Sequence, residues 1–195
     1  MHVVKYSGPF GFIKPWTAVR DGETFSQQFL TPSIIRGMEL KLFPEFLSEE
    51  LSDNNIHKII RHRLSYNTIS VQQEQIHPKA FTVKRNIASR PKSILKRGIL
   101  INPILHLAFE NFNDAQRASE QHICLCRNED VLLPDKVVQE LTENEFDIID
   151  GFELIFVKGN DSFMVGFNRF NNLEPEPMYG KIEIHGNPTR SEIAE

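Results

Sequence analysis

The order in which strand-like and helix-like segments follow one another limits what this chain can fold into more than any other feature. The first strand candidate is Val3 to Ser7, which ends at the turn signal Gly8-Pro9. A helix candidate follows from Pro32 to Phe43, because Thr31 can cap a helix and proline suits its first position. The chain therefore begins with a strand and an amphipathic helix.

The middle of the chain continues this order. Polar and β-branched residues alternate in Ile59 to Val71, which predicts a strand half-covered by the core. Gly98 to Phe109 is predicted as a central strand, interrupted at Pro103 by a bulge or an edge position. A second helix follows, capped by Asn113 or Asp114.

The last third is predicted to be mostly β. A short third helix is expected from Asp135 to Glu143, before strands at Phe152 to Val157 and Ser162 to Phe167. The composition of Lys158 to Asp161 predicts a hairpin between those two strands. A final strand is expected at Lys181 to His185.

Together these segments predict an α+β fold: a ferredoxin-like βαββαβ unit with a β-rich C-terminal extension. Many RNA-binding modules share this architecture. We expect the ferredoxin-like domain at residues 1–130 and the small extension, packed on it, at residues 131–195. A chain of 195 residues is long enough to bury a core of this kind.

Composition excludes several other classes of protein. Two cysteines cannot form a disulfide framework, and Lys5 precedes any apolar signal region, so we expect a reducing, cytoplasmic location. The most apolar stretch, Gly98 to Phe109, is far shorter than the roughly 20 residues that cross a bilayer, so no membrane span is expected. No Walker loop, dinucleotide fingerprint or Gly-x-Ser-x-Gly motif occurs, and no cofactor is expected.

Charge is distributed very unevenly along the chain. The formal net charge is −4, yet residues 1–100 are net basic and residues 101–195 are net acidic. No acidic residue occurs from Gln75 to Phe109, where the cations are Lys79, Lys84, Arg85, Arg90, Lys92, Lys96 and Arg97. Such a segment favours a polyanion such as RNA or DNA, because each neutralised phosphate releases counterions. The alternative is a solvated basic loop, or a loop that contacts a neighbouring subunit.

Two N-terminal segments resemble a known family. The segments are Gly8-Pro9-Phe10-Gly11-Phe12-Ile13-Lys14-Pro15 and Phe25-Ser26-Gln27-Gln28-Phe29-Leu30-Thr31-Pro32-Ser33-Ile34-Ile35-Arg36-Gly37-Met38. They are similar to the start of the Cas-five family of CRISPR effector subunits, in the RAMP superfamily, with the type I-C branch nearest. Arg90-Pro91-Lys92-Ser93-Ile94-Leu95-Lys96 and Met164-Val165-Gly166-Phe167-Asn168 resemble later segments of that branch.

The resemblance implies a subunit that holds the 5′ handle of a CRISPR RNA in a Cascade-like antiviral complex. Its partners would be that RNA, the backbone and large subunits and, indirectly, target DNA. Residues 72–97 would form a basic, thumb-like insertion against the RNA. The predicted RNA-binding residues are Lys14, Trp16, Arg20, Arg36, Lys84, Arg85, Arg90, Lys92, Lys96 and Arg97. Arg36 has an alternative role, an ion pair with Glu39.

Type I-C members also cut the CRISPR repeat without metal, through a tyrosine and a Lys-His pair. This sequence departs from that pattern: Gln27 stands at the apparent tyrosine position, and Ala115-Gln116 at the pair. Our main hypothesis is therefore a non-catalytic RNA-binding subunit. A metal-independent endoribonuclease and a stand-alone RNA-binding module are the alternatives.

If the chain does cut RNA, it needs an acid and a base near the 2′-hydroxyl. The candidates are His62, Tyr66 and His106, each of which also fits a structural role. His122-x-Cys124-x-Cys126 has the elements of a metal motif, but no second Cys/His pair completes four ligands, so no metal site is expected.

Overall fold

The computed structural model describes residues 1–15, 22–48, 55–76, 81–90, 92–168 and 175–190. The α-helices of these residues are α1 (Pro32–Leu42), α2 (Phe112–Ser119) and α3 (Glu143–Asp147), and a 3-10 helix spans Pro44–Leu47. Their strands are β1 (His2–Ser7), β2 (Phe10–Gly11), β3 (Glu23–Phe25), β4 (Ile59–Ser65), β5 (Thr68–Ile76), β6 (Thr82–Lys84), β7 (Ile87–Ser89), β8 (Ser93–Ile101), β9 (Ile104–Phe109), β10 (Ile123–Cys124), β11 (Val131–Pro134), β12 (Gln139–Glu140), β13 (Gly151–Ile155), β14 (Phe163–Asn168) and β15 (Glu176–His185).

The main sheet has the strand order of a ferredoxin-like fold. Its path is β10-β11-β1-β9-β4-β13-β15-β14, and β12 also pairs with β1. Within this path β11, β1, β9 and β4 are antiparallel neighbours, α1 lies between β1 and β4 in the chain, and α2 lies between β9 and β11. This is a βαββαβ unit whose strands stand in the order 4-1-3-2. The predicted α+β fold class is confirmed.

The two longer helices cover one face of this sheet. Tyr6, Leu105 and Leu107 of the sheet are fully buried and belong to one apolar cluster with Ile35 and Leu42 of α1. Each such side chain contributes about 1.5–3 kcal/mol on burial. The helix predicted from Pro32 to Phe43 is confirmed, ending one residue early at Leu42.

The C-terminal strands extend the same sheet in an order that the sequence pattern did not predict. β15 lies between β13 and β14 and pairs with both. The predicted hairpin across Lys158–Asp161 is wrong, because the strands that this segment connects are not paired with each other. Strands from before and after residue 130 lie in this one sheet, and the division of the chain at that residue stays a prediction.

The third helix lies later than predicted. Residues 139–140 pair with β1, which makes the predicted helix at Asp135–Glu143 wrong. The helix begins after Thr142, whose side chain accepts from the backbone of Glu145 while the Glu145 carboxylate accepts from the Thr142 backbone. This capping box was a readable signal in the sequence. The second helix has Asn111 at its N-cap position, without a side-chain capping bond, so the predicted caps Asn113 and Asp114 are wrong and lie inside the helix.

Two strands of the main sheet continue into a second, smaller sheet. β4 and β9 pair with each other, and so do their continuations β5 and β8. The ribbon bends between the two sheets at residues 66–67 and 102–103, where Asn102 has a φ of +48°. Asparagine tolerates this conformation better than most residues. The predicted single strands at 59–71 and 98–109 are therefore each two strands, and the second is interrupted at Pro103 as expected.

No helix among the described residues is long and apolar enough to cross a membrane.

Candidate nucleic-acid interface

A long antiparallel hairpin, β5 with β8, occupies the region predicted as a thumb-like insertion. It pairs from Thr68 with Ile101 to Ile76 with Ser93. β2 and β3 pair with the other side of β8 and hold the base of the hairpin against the protein. Most side chains of β5 and the outer half of β8 are exposed. We call this element, residues 68–101, the basic hairpin.

The two faces of the basic hairpin differ in what they contact. On one face Arg97 donates through Nε to Glu74 at 2.9 Å, and its guanidinium lies 5.0 Å from the centroid of the Phe12 ring. Arg127 donates to the same Glu74 carboxylate at 2.6 Å. Because side chains alternate along a strand, Lys96 lies on the opposite face, where it is exposed. Arg97 is therefore a structural contact, and Lys96 is available to a ligand.

The face that carries Lys96 also presents apolar surface. A side chain on Gly98 would collide with the Phe25 ring, whose Cδ1 would stand 2.2 Å from the added Cβ. Glycine thus allows the half-exposed Phe25 ring to lie directly on the strand. Val71, directly opposite Gly98, is also half-exposed. An aromatic ring beside a cation suits both stacking on a base and contact with a phosphate.

Lys14 lies near the same region. The carbonyl of Ile13 accepts from the N–H of Gln27, and the N–H of Ile13 donates to the Ser26 hydroxyl. These bonds fix residue 14 beside the segment that follows β3, with its side chain exposed.

The tip of the basic hairpin is a small two-stranded sheet, β6 with β7. Arg85 and Asn86 form its two-residue loop, with φ of +50° and +61°, the backbone of a type I′ turn. Arg85 is exposed, and the Arg90 guanidinium lies 5.8 Å from the centroid of the Phe81 ring. Phe81 is itself 67% exposed. Cations and apolar side chains are thus interleaved at the tip, and Lys92 follows them, also exposed.

Arg36 is not exposed as the cations of the hairpin are. It is buried on α1 and pairs with Glu39 at 2.6 Å, the alternative role considered from the sequence. Glu39 is fully buried and also accepts from the backbone N–H groups of residues 57–59. The pair therefore fastens the start of β4 to α1. Trp16 and Arg20 lie outside the described residues, as does the side chain of Lys84.

The three histidine and tyrosine candidates do not form one site. His62 and His106 lie on opposite faces of the main sheet, because Arg63, the residue after His62, pairs with His106. His62 stacks on Phe156, and Tyr66 stacks on Phe152 within the apolar core. All three are buried. No acid and base therefore converge on a shared substrate position among these residues.

The two buried histidines predict that acid destabilises the fold. Burial lowers the pKa of His62 to about 4 and that of His106 to about 4, from an ordinary 6.5. Both are protonated more readily in the unfolded chain, so stability is full above pH 6.5 and is lost as the pH falls from 6.5 towards 4. We expect a loss of about 2 kcal/mol per histidine near pH 5. Urea unfolding at neutral pH and near pH 5 measures this loss in the free energy of unfolding.

Two variants serve as controls for this pH dependence. His62→Phe and His106→Leu should each reduce the difference between the two free energies of unfolding, because neither replacement takes up a proton. Equal free energies at both pH values in the parent protein would contradict the prediction.

The ion-pair network around Glu153 was not predicted from the sequence. Arg61 and Arg63 both donate to Glu153, which is 2% exposed, at 2.7–2.9 Å. The paired residues are about 90 positions apart in the chain, so no local sequence pattern predicts these ion pairs. In the described part of the chain, no group of three or more His, Cys, Asp or Glu is placed to hold a metal ion.

The strand order and the exposed basic hairpin define an α+β protein with a ferredoxin-like sheet. A chain of a solved CRISPR RNA-guided surveillance complex shares this fold, with a TM-score of 0.53 and 9% sequence identity. The match covers 95% of this chain and 90% of that chain. No protein-family model matches the sequence, and neither does any curated protein.

Proposed function

We propose that this chain is an RNA-binding subunit of a CRISPR effector complex. The observation that carries the proposal is the basic hairpin, which projects exposed cations from a fold shared along almost its whole length with a surveillance-complex chain. No acidic residue occurs between Gln75 and Phe109. The nearby carboxylates are Glu74, which pairs with Arg97, and Glu23 of β3, which lies opposite Lys96 in register. A phosphate backbone is the ligand that such a surface attracts most strongly.

The RNA held here is the 5′ handle of the CRISPR RNA. Exposed lysines and arginines contact phosphates and position an RNA without reading its bases. A fixed handle, identical in every guide, needs only such a grip. The proposed contacts are Lys14, Arg85, Arg90, Lys92 and Lys96, joined by Trp16, Arg20 and Lys84 from the sequence analysis. Contacts with the backbone and large subunits, and indirectly with target DNA, belong to the same proposal, as does membership of the Cas-five family.

The subunit binds this RNA without cutting it. Metal-free cleavage requires a base, an acid and a donor around one phosphate. His62, Tyr66 and His106 are buried, and the two histidines lie on opposite faces of the sheet. This arrangement favours the non-catalytic role over the endoribonuclease.

The test is a gel assay of the purified protein with the repeat RNA from its own genome, in EDTA and at several salt concentrations. We expect retention of intact RNA, with an affinity that falls as salt rises. Cleavage at one fixed position would replace this proposal with the endoribonuclease. If neither binding nor cleavage occurs with the subunit alone or with its co-purified neighbours, the RNA-binding proposal fails.

A further inference from the structure

One part of the main sheet, on the face opposite α1 and α2, carries buried polar groups that lack hydrogen-bond partners among the described residues. One row of this face crosses neighbouring strands: Lys5 of β1 lies opposite His106 of β9 in register, and His106 lies opposite Arg63 of β4. Ser65 follows two residues after Arg63 and therefore lies on the same face. The row crosses the three central strands of the ferredoxin-like unit.

Two buried side chains in this row have no hydrogen-bond partner among the described residues. They are Ser65, through Oγ, and His106, through Nδ1; Arg63 also leaves its Nε without a partner, but its other nitrogens donate to Ile149 and Glu153. Ser65 is 1% exposed and His106 is 7% exposed. An unpaired buried polar group costs about 1–3 kcal/mol, so native proteins retain few without a use.

Three cations act on the charge of His106, and two of them are paired with carboxylates. Burial is the main cause that lowers the pKa of His106; the charges of Lys5, Arg190 and Arg63 lower it further, and the charge of Asp135 raises it. Lys5 pairs with Asp135 at 3.6 Å, and Arg63 pairs with Glu153. The backbone of Arg190 is fixed here because its N–H donates to the Tyr66 carbonyl.

The two outer cations, Lys5 and Arg190, are accessible to solvent. The side chain of Lys5 is 36% exposed, and Arg190 is exposed, whereas the opposite half of this face is closed by Phe146 of α3, packed on Val3 and Ala108. A small anion entering between Lys5 and Arg190 would meet a hydroxyl donor and an imidazole donor beneath them. Charge-assisted bonds of this kind are stronger than neutral ones.

We infer that this part of the sheet face, Lys5, Ser65, His106 and Arg190, binds a phosphate group. The phosphate is either a free ion or one phosphodiester of an RNA, and the chemistry of recognition is the same for both. The site lies on the main sheet and not on the basic hairpin, so the inference does not rest on the proposed function.

The test is a titration of the whole chain with inorganic phosphate, followed by NMR of the His106 ring. The signal is assigned with His106→Gln, and sodium chloride at equal ionic strength is the reference. We expect a saturable shift and a rise in the His106 pKa, because a bound anion favours the imidazolium. If phosphate shifts the signal no more than sodium chloride does, the inference is overturned. A buried water would then be the partner of the Ser65 hydroxyl and the His106 ring.

Three variants and one control separate a binding site from a merely structural row. Lys5→Gln and Arg190→Gln should each weaken phosphate binding about tenfold, the effect of losing one charge-assisted bond. Lys41→Gln, on α1 at the other side of the sheet, should leave it unchanged. Ser65→Ala should weaken binding while leaving the free protein as stable or more stable, because it removes an orphaned hydroxyl. Unchanged affinity in Lys5→Gln, Arg190→Gln and Ser65→Ala would overturn the assignment.

A second titration with a short oligouridylate distinguishes the two sources of phosphate. A shift of the same His106 signal by the oligouridylate identifies an RNA phosphodiester, and a shift with inorganic phosphate alone identifies the free ion. Repeating both in a protein with Lys92 and Lys96 changed to Glu shows whether the site acts independently of the basic hairpin. Loss of the phosphate response in that variant would contradict a separate site.

Discussion

Changing Arg85, Lys92 and Lys96 to glutamate is expected to reduce RNA affinity by about a thousandfold at moderate salt. Each substitution removes a phosphate contact and places a carboxylate where the phosphate lay, so attraction is replaced by repulsion. The slope of log affinity against log salt should become shallower by about 2, since each contact with a single strand contributes about 0.7. Filter binding or gel shift across a salt series measures both quantities.

The structure determines which cations belong in this variant. Arg97 is excluded because it pairs with Glu74 and covers Phe12, so its loss would disturb packing as well as binding. The matched control is Lys41, Lys136 and Lys181 changed to glutamate, which alters net charge equally at sites outside the hairpin. If both variants lose affinity equally, general electrostatics explain the binding and the hairpin is not the RNA surface. If neither variant loses affinity, the RNA-binding surface lies elsewhere on the protein.

Glu153→Ala is expected to lower the free energy of unfolding by about 3–5 kcal/mol. Burial raises the pKa of Glu153, but hydrogen bonds from Arg61 and Arg63 outweigh it, and the pKa lies below its ordinary value. The carboxylate is thus ionised and neutralises two guanidinium groups, of which Arg63 is fully buried. Its removal leaves that charge uncompensated. Urea unfolding at neutral pH measures the loss.

Two comparisons show whether the buried pair is the cause. Glu143 also pairs with Arg61, at 3.0 Å, but its side chain is 69% exposed, so Glu143→Ala should cost about 0–1 kcal/mol. Replacing Arg63 by methionine in the Glu153→Ala background should recover part of the loss, because no unpaired buried charge remains. A loss for Glu153→Ala no greater than that for Glu143→Ala would show that the buried pair contributes little.

The fold class was predictable because it depends on local patterns. Threonine at the N-cap position, proline at position 32 and the apolar spacing that follows all favour a helix, whatever lies around them, although the Thr31 side chain makes no capping bond. The interruption at Pro103 was also visible, since proline cannot donate to a sheet ladder. Which strands pair in the C-terminal third was not predictable, because β15 inserts between β13 and β14 through contacts with residues distant in sequence.

The candidate site likewise has features that the sequence predicted and features that it did not. The absence of acidic residues from Gln75 to Phe109 located the basic hairpin in the sequence. Lys96 and Arg97 are equivalent in that pattern, yet one is exposed and the other pairs with Glu74. Arg36 likewise carries the charge expected of an RNA contact but is buried against Glu39.

By itself, the sequence determined the alternation of strands and helices, the α+β class and the segment in which positive charge accumulates. These depend on residues within one turn or one strand of each other. The tertiary structure alone decided which cations face solvent, the pairing of Glu153 with Arg61 and Arg63, and the row of Lys5, His106 and Ser65 on one sheet face. Those features depend on strand register, and register is fixed only when segments far apart in the chain pack together.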